Sequence, residues 1–360
     1  MRLQLICVLL FSAIWFVGNP SLSGQVQAAP AETGPAFVEE FLTIAGINGS
    51  IATEPQWSQL STEARQKASG TTDSLSSYPI VAQMIKALGD HHGGLSPTKE
   101  NTKEYKRRYG KLWSEADSRP PASAFMERKD PKAMDLSLGS KSVRSVIVPS
   151  VFTRDDEQSY ANNLSKMLLE APSSTCGFII DLRGNVGGDM WPMLAALSPL
   201  LATNYAGAFT SRVEAPIKWF AKEGRSGQIH SDNQTSVSFV ISGFKPASAS
   251  LANAPVAVLL DDGVLSSGEA VAIAFEGRKE TRSFGAHTYG LSTVNSSFSM
   301  KDGTTLYLST GVYQDRLAHG YPGGVMPDVS VDPADVAVND PAPAVVAALS
   351  WLKERPVCRR

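Results

Sequence analysis

What this chain has little of narrows its function first. Only 19% of its 360 residues are charged and the formal net charge is -2. No basic field invites nucleic acid, and no acidic block invites a basic partner. Cysteine is scarce, at three residues, and histidine at five. Two histidines, His91 and His92, are adjacent, and neighbours in sequence rarely point at one ion. No other His, Cys or carboxylate stands at ligand spacing from them, which argues against a metal. The Gly-rich turn G-N-V-G-G at 184–188 lacks the lysine of a phosphate loop and the spacing of a dinucleotide fingerprint. Neither Ser266 nor Ser267 sits in G-x-S-x-G, which argues against an α/β-hydrolase. No period of repeat-protein length is present. The expectation is a globular protein with no metal or organic cofactor.

The one long apolar run lies at the start. Arg2 precedes apolar residues 3–17, followed by a small and polar stretch ending V-Q-A-A-P. That is the layout of a secretory signal, with cleavage after Ala28. An uncleaved anchor is the other reading, although the run is short for a bilayer. Export to the periplasm or the extracellular space follows. Cys7 lies inside the run, too near the start for a lipid-anchor site, and cleavage leaves Cys176 and Cys358. These two could pair in an oxidising compartment, or Cys176 could be a buried free thiol.

Past residue 28 the pattern predicts a small helical domain over 29–95, a polar linker over 96–140 and an α/β domain over 141–341. A C-terminal helix and tail occupy 342–360. In the helical part, Val81, Ile85 and Leu88 fall at helical spacing and Gly89 marks the stop. Strand, helix, strand, Gly-rich turn and helix then follow between 142 and 201, the grammar of a mostly parallel sheet. Residues 206–254 show no strong core pattern and read as a surface excursion over a cleft. A hairpin is expected to turn at Lys301, Asp302 and Gly303.

The stretch 255–277 carries the most chemistry. P-V-A-V-L-L is a strand buried on both faces, Asp261 to Gly263 are turn residues, and a short buried helix begins near Glu269. Ser266 and Ser267 lie at the helix start, where the first N–H groups lack partners. A hydroxyl there can be a nucleophile whose oxyanion those N–H groups hold, or it can simply cap the helix. The Gly-rich turn ends a neighbouring strand on the same sheet edge. One N–H from Gly187 or Gly188 and one from Ser267 would complete an oxyanion hole. The base would be a loop imidazole.

Taken together, these segments resemble the tail-specific, or C-terminal processing, serine peptidases. The likeness is to the branch near the tricorn core protease and the interphotoreceptor retinoid-binding repeats. L-G-D-H-H-G-G-L resembles the family's L-G-D-x-H-S and places its histidine on His92. D-L-R-G-N-V-G-G matches D-L-R-x-N-x-G-G. L-S-S-G-E-A-V-A-I-A-F resembles the S-A-S-E segment and places the nucleophile on Ser266. G-G-V-M-P-D-V resembles the G-V-x-P-D ending. The resemblance implies a crotonase/ClpP-like fold and a serine peptidase acting on peptides or unfolded protein tails. Leu291 stands where Ser-Lys members carry the lysine, so the resemblance implies a Ser-His mechanism with His92 as base. Asn295 stands in place of the family's glutamine and would orient substrate. Tyr321 falls nearest the tricorn-type glutamate. Asp315 is the substitute third member, with a structural pairing to Arg316 as its other reading. The segment between His92 and Ser142 leaves no room for a PDZ domain. A non-catalytic protein binding peptides or hydrophobic ligands on the same scaffold is the alternative. N-terminal sequencing of the protein recovered outside the cytoplasm should begin at Ala29; a chain still beginning at Met1 would favour the anchor.

Overall fold

Apolar residues at helical spacing build the first layer. Helix α1 (Gly34–Asn48) is capped by Thr33, whose hydroxyl accepts from the Ala36 N–H, and has Pro35 in its first turn. It buries Phe37, Val38, Phe41, Leu42 and Ala45. Helix α2 (Trp57–Ala68) packs against it, and α3 (Ser74–Ala87) opens with a capping box between Asp73 and Ser76. Gly89, at φ 76°, ends that helix. The chain passes at once into Asp90, His91 and His92, then β1 (Gly94–Ser96) and α4 (Lys99–Tyr109). The helical layer is not closed on itself. Its core of Phe37, Phe41, Tyr78 and Met84 takes in Met300, Leu306 and Leu308 from much later in the chain.

The computed structural model describes residues 32–113, 130–152, 156–246, 251–331 and 342–359, so the signal segment expected at 1–28 lies outside the described residues. The next elements are β2 (Lys132–Leu138), β3 (Lys141–Ile147), α5 (Glu157–Leu169), β4 (Thr175–Asp181) and α6 (Met190–Leu201). Then come β5 (Thr203–Phe209), β6 (Ile217–Lys222), β7 (Arg225–Ile229), β8 (Thr235–Val240), β9 (Val256–Leu260) and α7 (Ser267–Phe275). Last are β10 (Thr281–Gly285), β11 (Thr293–Ser299), β12 (Thr305–Asp315), β13 (Val329–Ser330), α8 (Pro343–Lys353) and α9 (Pro356–Arg359). The result is mixed α/β with a helical N-terminal region.

One sheet runs β13-β10-β9-β4-β3-β2, parallel except where β2 joins β3. Both faces of its centre are covered, which accounts for the continuous apolar runs. Alternate residues Phe178, Ile180, Val256, Val258 and Leu260 face the core shared with α5, α6 and α7. Ile179, Ala257 and Leu259 face Ala344, Ala348 and Leu352 of α8. Within the span 96–140 the structure places α4 and the exposed edge strand β2.

The second sheet corrects one expectation. Residues 206–254 are not a loose excursion: they hold most of β5 and all of β6, β7 and β8 of an antiparallel sheet ordered β1-β12-β5-β6-β7-β8, with β11 also on β12. Ala206, Ala208, Trp219 and Ala221 are buried there, and Ala206, Trp219 and Ala221 join the core with α6. Small residues supply much of this buried face, so the alternation that marks a half-buried strand is weak in the sequence. The hairpin of β11 and β12 turns where expected, at residues 300–304.

Cys176 on β4 and Cys358 on α9, 182 positions apart in sequence, form a disulfide with Cα atoms 5.1 Å apart. It fastens the C-terminal helices to the sheet. The oxidised protein should show no free thiol at these positions by alkylation and intact mass. Cys358→Ser should lower unfolding free energy by about 2–5 kcal/mol in denaturant titration.

Candidate active site

Parallel strands β4 and β9 end side by side, with Asp181 paired to Leu259, so their following loops meet on one sheet edge. Asp261 joins them: its Oδ1 accepts from the Gly184 N–H at 2.9 Å and the Gly263 N–H at 3.0 Å. The Leu265 N–H donates to the Asn185 carbonyl at 3.1 Å. This closure sets the path into Ser266, the residue before α7.

Ser266 has φ 54° and ψ -120°, a strained backbone for a residue with a Cβ. Such a conformation costs about 1–3 kcal/mol and persists only when its surroundings enforce it. Glu269 does so. Its Oε2 accepts from the Ser266 N–H at 3.0 Å, and its Oε1 accepts from the Gly290 N–H at 2.8 Å and the Thr288 hydroxyl at 2.5 Å. The carboxyl is fully buried, and burial raises its pKa against the pull of these donors.

His92 arrives from the opposite layer. It is buried, and its Nε2 lies 3.4 Å from Ser266 Oγ, although the two residues are 174 apart in sequence. The Tyr313 phenol also interacts with the Ser266 side chain, and burial pushes that phenol's pKa up. On the far side of the ring, Nδ1 lies 2.9 Å from Thr293 Oγ1, and the Thr293 backbone favours the protonated ring. With Nδ1 turned to Thr293, Nε2 is the ring nitrogen that faces Ser266. Burial lowers the His92 pKa to about 4, partly offset by the Asp90 charge and the Thr293 backbone.

The two glycines of the turn behave differently. Gly187 (φ 91°) lies against the serines; a Cβ there would be 3.1 Å from both Ser266 Cβ and the Ser267 nitrogen. Its N–H, however, donates to Asn185 Oδ1 at 2.9 Å. Gly188 (φ 102°) has no space for a Cβ against the Val151 carbonyl, and its own carbonyl accepts from Ser267 Oγ at 2.6 Å. Ser267 is the first residue of α7, where the N–H has no partner within the helix.

Two other expected residues stand elsewhere than foreseen. Asn295 Nδ2 donates to the His92 carbonyl at 3.0 Å, so this side chain holds the histidine loop from behind. Asp315 closes the turn after β12. Its Oδ1 accepts from the Leu317 and His319 N–H groups at 2.7 and 3.0 Å, and its Oδ2 from the Tyr321 hydroxyl at 2.9 Å. It is three residues beyond Val312, the register partner of Thr293, and the structure does not place it at the imidazole. Arg316 donates to the Ala274 carbonyl at 2.7 Å. A cleft of about 390 Å³ borders His92, lined by Ile51, Leu88, Leu291, Val312 and Pro322 among others. Sequence reasoning missed Glu269, Thr293 and Tyr313. The spacing S-x-x-E at 266–269, a capping-box signature, could have found Glu269; nothing local marks the other two.

The profile of peptidase family S41 matches residues 146–331, just over half the chain, including the Gly-rich turn and Ser266 but not His92. The nisin-resistance protein of Lactococcus lactis subsp. lactis is 26% identical over 309 residues, covering 85% of this chain and 83% of that protein. A lipoprotein from Streptococcus agalactiae superposes with a TM-score of 0.61 at 21% identity, over 94% of this chain and 99% of that one. The photosystem II D1 C-terminal processing protease gives 0.52 at 14% identity, over 91% and 97%. At such identities these two structures establish a common fold.

The depressed His92 pKa has a testable sign. Its imidazole should stay neutral until pH falls well below the ordinary 6.5, titrating near about 4. In that window the unfolded chain binds a proton that the folded chain refuses, so acidification through it destabilises the fold. NMR titration of the His92 ring checks this; a midpoint at or above 6.5 would contradict the buried geometry.

Proposed function

The chain belongs to peptidase family S41, and from that premise we propose an exported serine peptidase that cleaves peptides or unfolded protein tails by a Ser-His mechanism. The observation that carries this reading is the buried approach of Ser266 Oγ to His92 Nε2 at 3.4 Å. Unliganded sites often hold such bonds long. Ser266 attacks the scissile carbonyl carbon while Nε2 takes its proton. The oxyanion that forms faces the start of α7, where the Ser267 N–H and the Gly188 N–H are the proposed donors; the Gly187 N–H is already engaged by Asn185. The tetrahedral intermediate collapses as Nε2 returns the proton to the leaving amine. Water then cleaves the acyl-enzyme by the same route.

Leu291 cannot accept a proton, and it lines the cleft beside His92, so no lysine base competes at that position. The strain at Ser266 favours catalysis over a purely binding role, because a binding scaffold gains nothing from holding one hydroxyl in a costly conformation toward an imidazole. A peptidase role is also in keeping with the nisin-resistance relative. Two features support export: the signal-like segment at 3–28, and the disulfide, a bond that persists chiefly in oxidising compartments.

Incubation with a mixture of unstructured peptides, read by mass spectrometry, should give cleavage products. Ser266→Ala and His92→Ala should each lower turnover by roughly 10³-fold or more. Undiminished cleavage by Ser266→Ala would remove the nucleophile assignment.

A further inference from the structure

The imidazole of a Ser-His pair works best when a third group fixes its tautomer and stabilises the charge it acquires. Asp315 does not do this here. Another carboxylate lies two residues before His92. Asp90 is buried, and its Oδ1 accepts from the His92 N–H at 3.1 Å, the Gly93 N–H at 2.8 Å and the Ser309 hydroxyl at 2.7 Å. Its Oδ2 accepts from the Ser309 N–H at 2.8 Å. Ser309 Oγ in turn lies 3.1 Å from Thr293 Oγ1, the atom that faces His92 Nδ1 at 2.9 Å. Ser309 Oγ is the donor to both Asp90 and Thr293, so its single proton is shared between them and links the carboxylate to the hydroxyl beside the ring. The hairpin is shaped for it: the register of β11 on β12 slips between Val294 and Asn295, which puts Ser309 opposite Asn295. From that short length of β11, Thr293 meets the ring and Asn295 meets the His92 carbonyl.

We infer that Asp90, Ser309 and Thr293 are a positioning relay that keeps the His92 proton on Nδ1 and presents carboxylate charge to the ring through two hydroxyls. The relay takes the place that a directly bonded carboxylate holds in a Ser-His-Asp triad. It rests on the Ser266–His92 reading given above. No proton travels along it: the Ser266 proton goes to Nε2 and returns from Nε2, while the Nδ1 proton stays in place. Anchoring the histidine loop would require only the Asp90 bonds to the His92 and Gly93 N–H groups. The hydroxyl of Thr293 has no part in that anchoring, so it separates the two roles.

A fluorophosphonate probe tests the relay without knowledge of the natural substrate. Ser266 Oγ forms a bond to phosphorus, fluoride leaves, and the serine proton goes to His92. Labelling rates of the full mature chain are followed by intact mass across pH, with thermal melting as a check on folding. Thr293→Val should slow labelling roughly 10-fold to 100-fold, and Thr293→Ser, which keeps the hydroxyl, should restore most of the rate. Asp90 is the charged group that acts on the ring, and its charge favours the protonated form. Asp90→Asn should therefore slow labelling and move the acid limb to lower pH, a shift that loss of loop anchoring alone would not produce. Glu269, the other buried carboxylate at the site, is engaged with the Ser266 N–H and stays constant in all these variants. Wild-type rate and an unchanged acid limb in Thr293→Val, with Ser266→Ala unlabelled, would overturn the relay and leave the Ser-His pair standing. Equal labelling of Ser266→Ala, or none of the wild type, would overturn both.

Discussion

Glu269 is fully buried, and donors from two separate segments converge on its carboxylate. Leaving such a group unpaired would cost several kcal/mol, so the donors and the carboxylate hold one another in place. One donor is the N–H of Ser266, whose positive φ would otherwise relax. The others belong to Thr288 and Gly290, which lead into Leu291 beside the cleft and Thr293 behind the imidazole. Serine, cleft wall and histidine support thus refer to a single fixed point. The arrangement makes strain at one residue affordable through bonds made by its neighbours.

The histidine side depends on a different constraint. His92 follows the end of α3, and α3 is placed by packing against α1 and the β11–β12 hairpin, through Met300, Leu306 and Leu308. The hairpin returns the contact chemically, with Thr293 on the ring and Asn295 on the carbonyl. The imidazole is therefore located by a core built from residues some two hundred positions apart. Its burial also lowers its pKa, keeping it in the base form at neutral pH.

Much of the fold was legible because its pattern is local. The apolar run at 255–260 reads as a doubly buried strand, and it is one, since α7 and α8 cover opposite faces of β9. The stop at Gly89 and the turn at residues 301–303 follow from backbone preferences of single residues. The sheet of β5 to β8 was not legible. Its consecutive strands pair as hairpins, but their buried positions are mostly alanine, glycine and serine, so no short window shows the apolar alternation of a half-buried strand. In the same way the letters of D-L-R-G-N-V-G-G located a glycine pair but did not tell which N–H Asn185 would occupy.

The sequence by itself determined the chemical inventory: a serine at a strand-to-helix junction, a histidine just past a helix stop, a glycine turn on the same sheet edge, and no lysine at 291. Those depend on residue type and short spacing. Tertiary structure alone decided which groups meet. Asp315 went to its own turn because the chain there closes on itself within six residues. Asp90, two residues from the histidine, was brought under it by a hairpin strand more than two hundred positions away. Hydrogen bonds act over about 3 Å, and proximity on that scale is set by packing between layers, which no local pattern in a chain encodes.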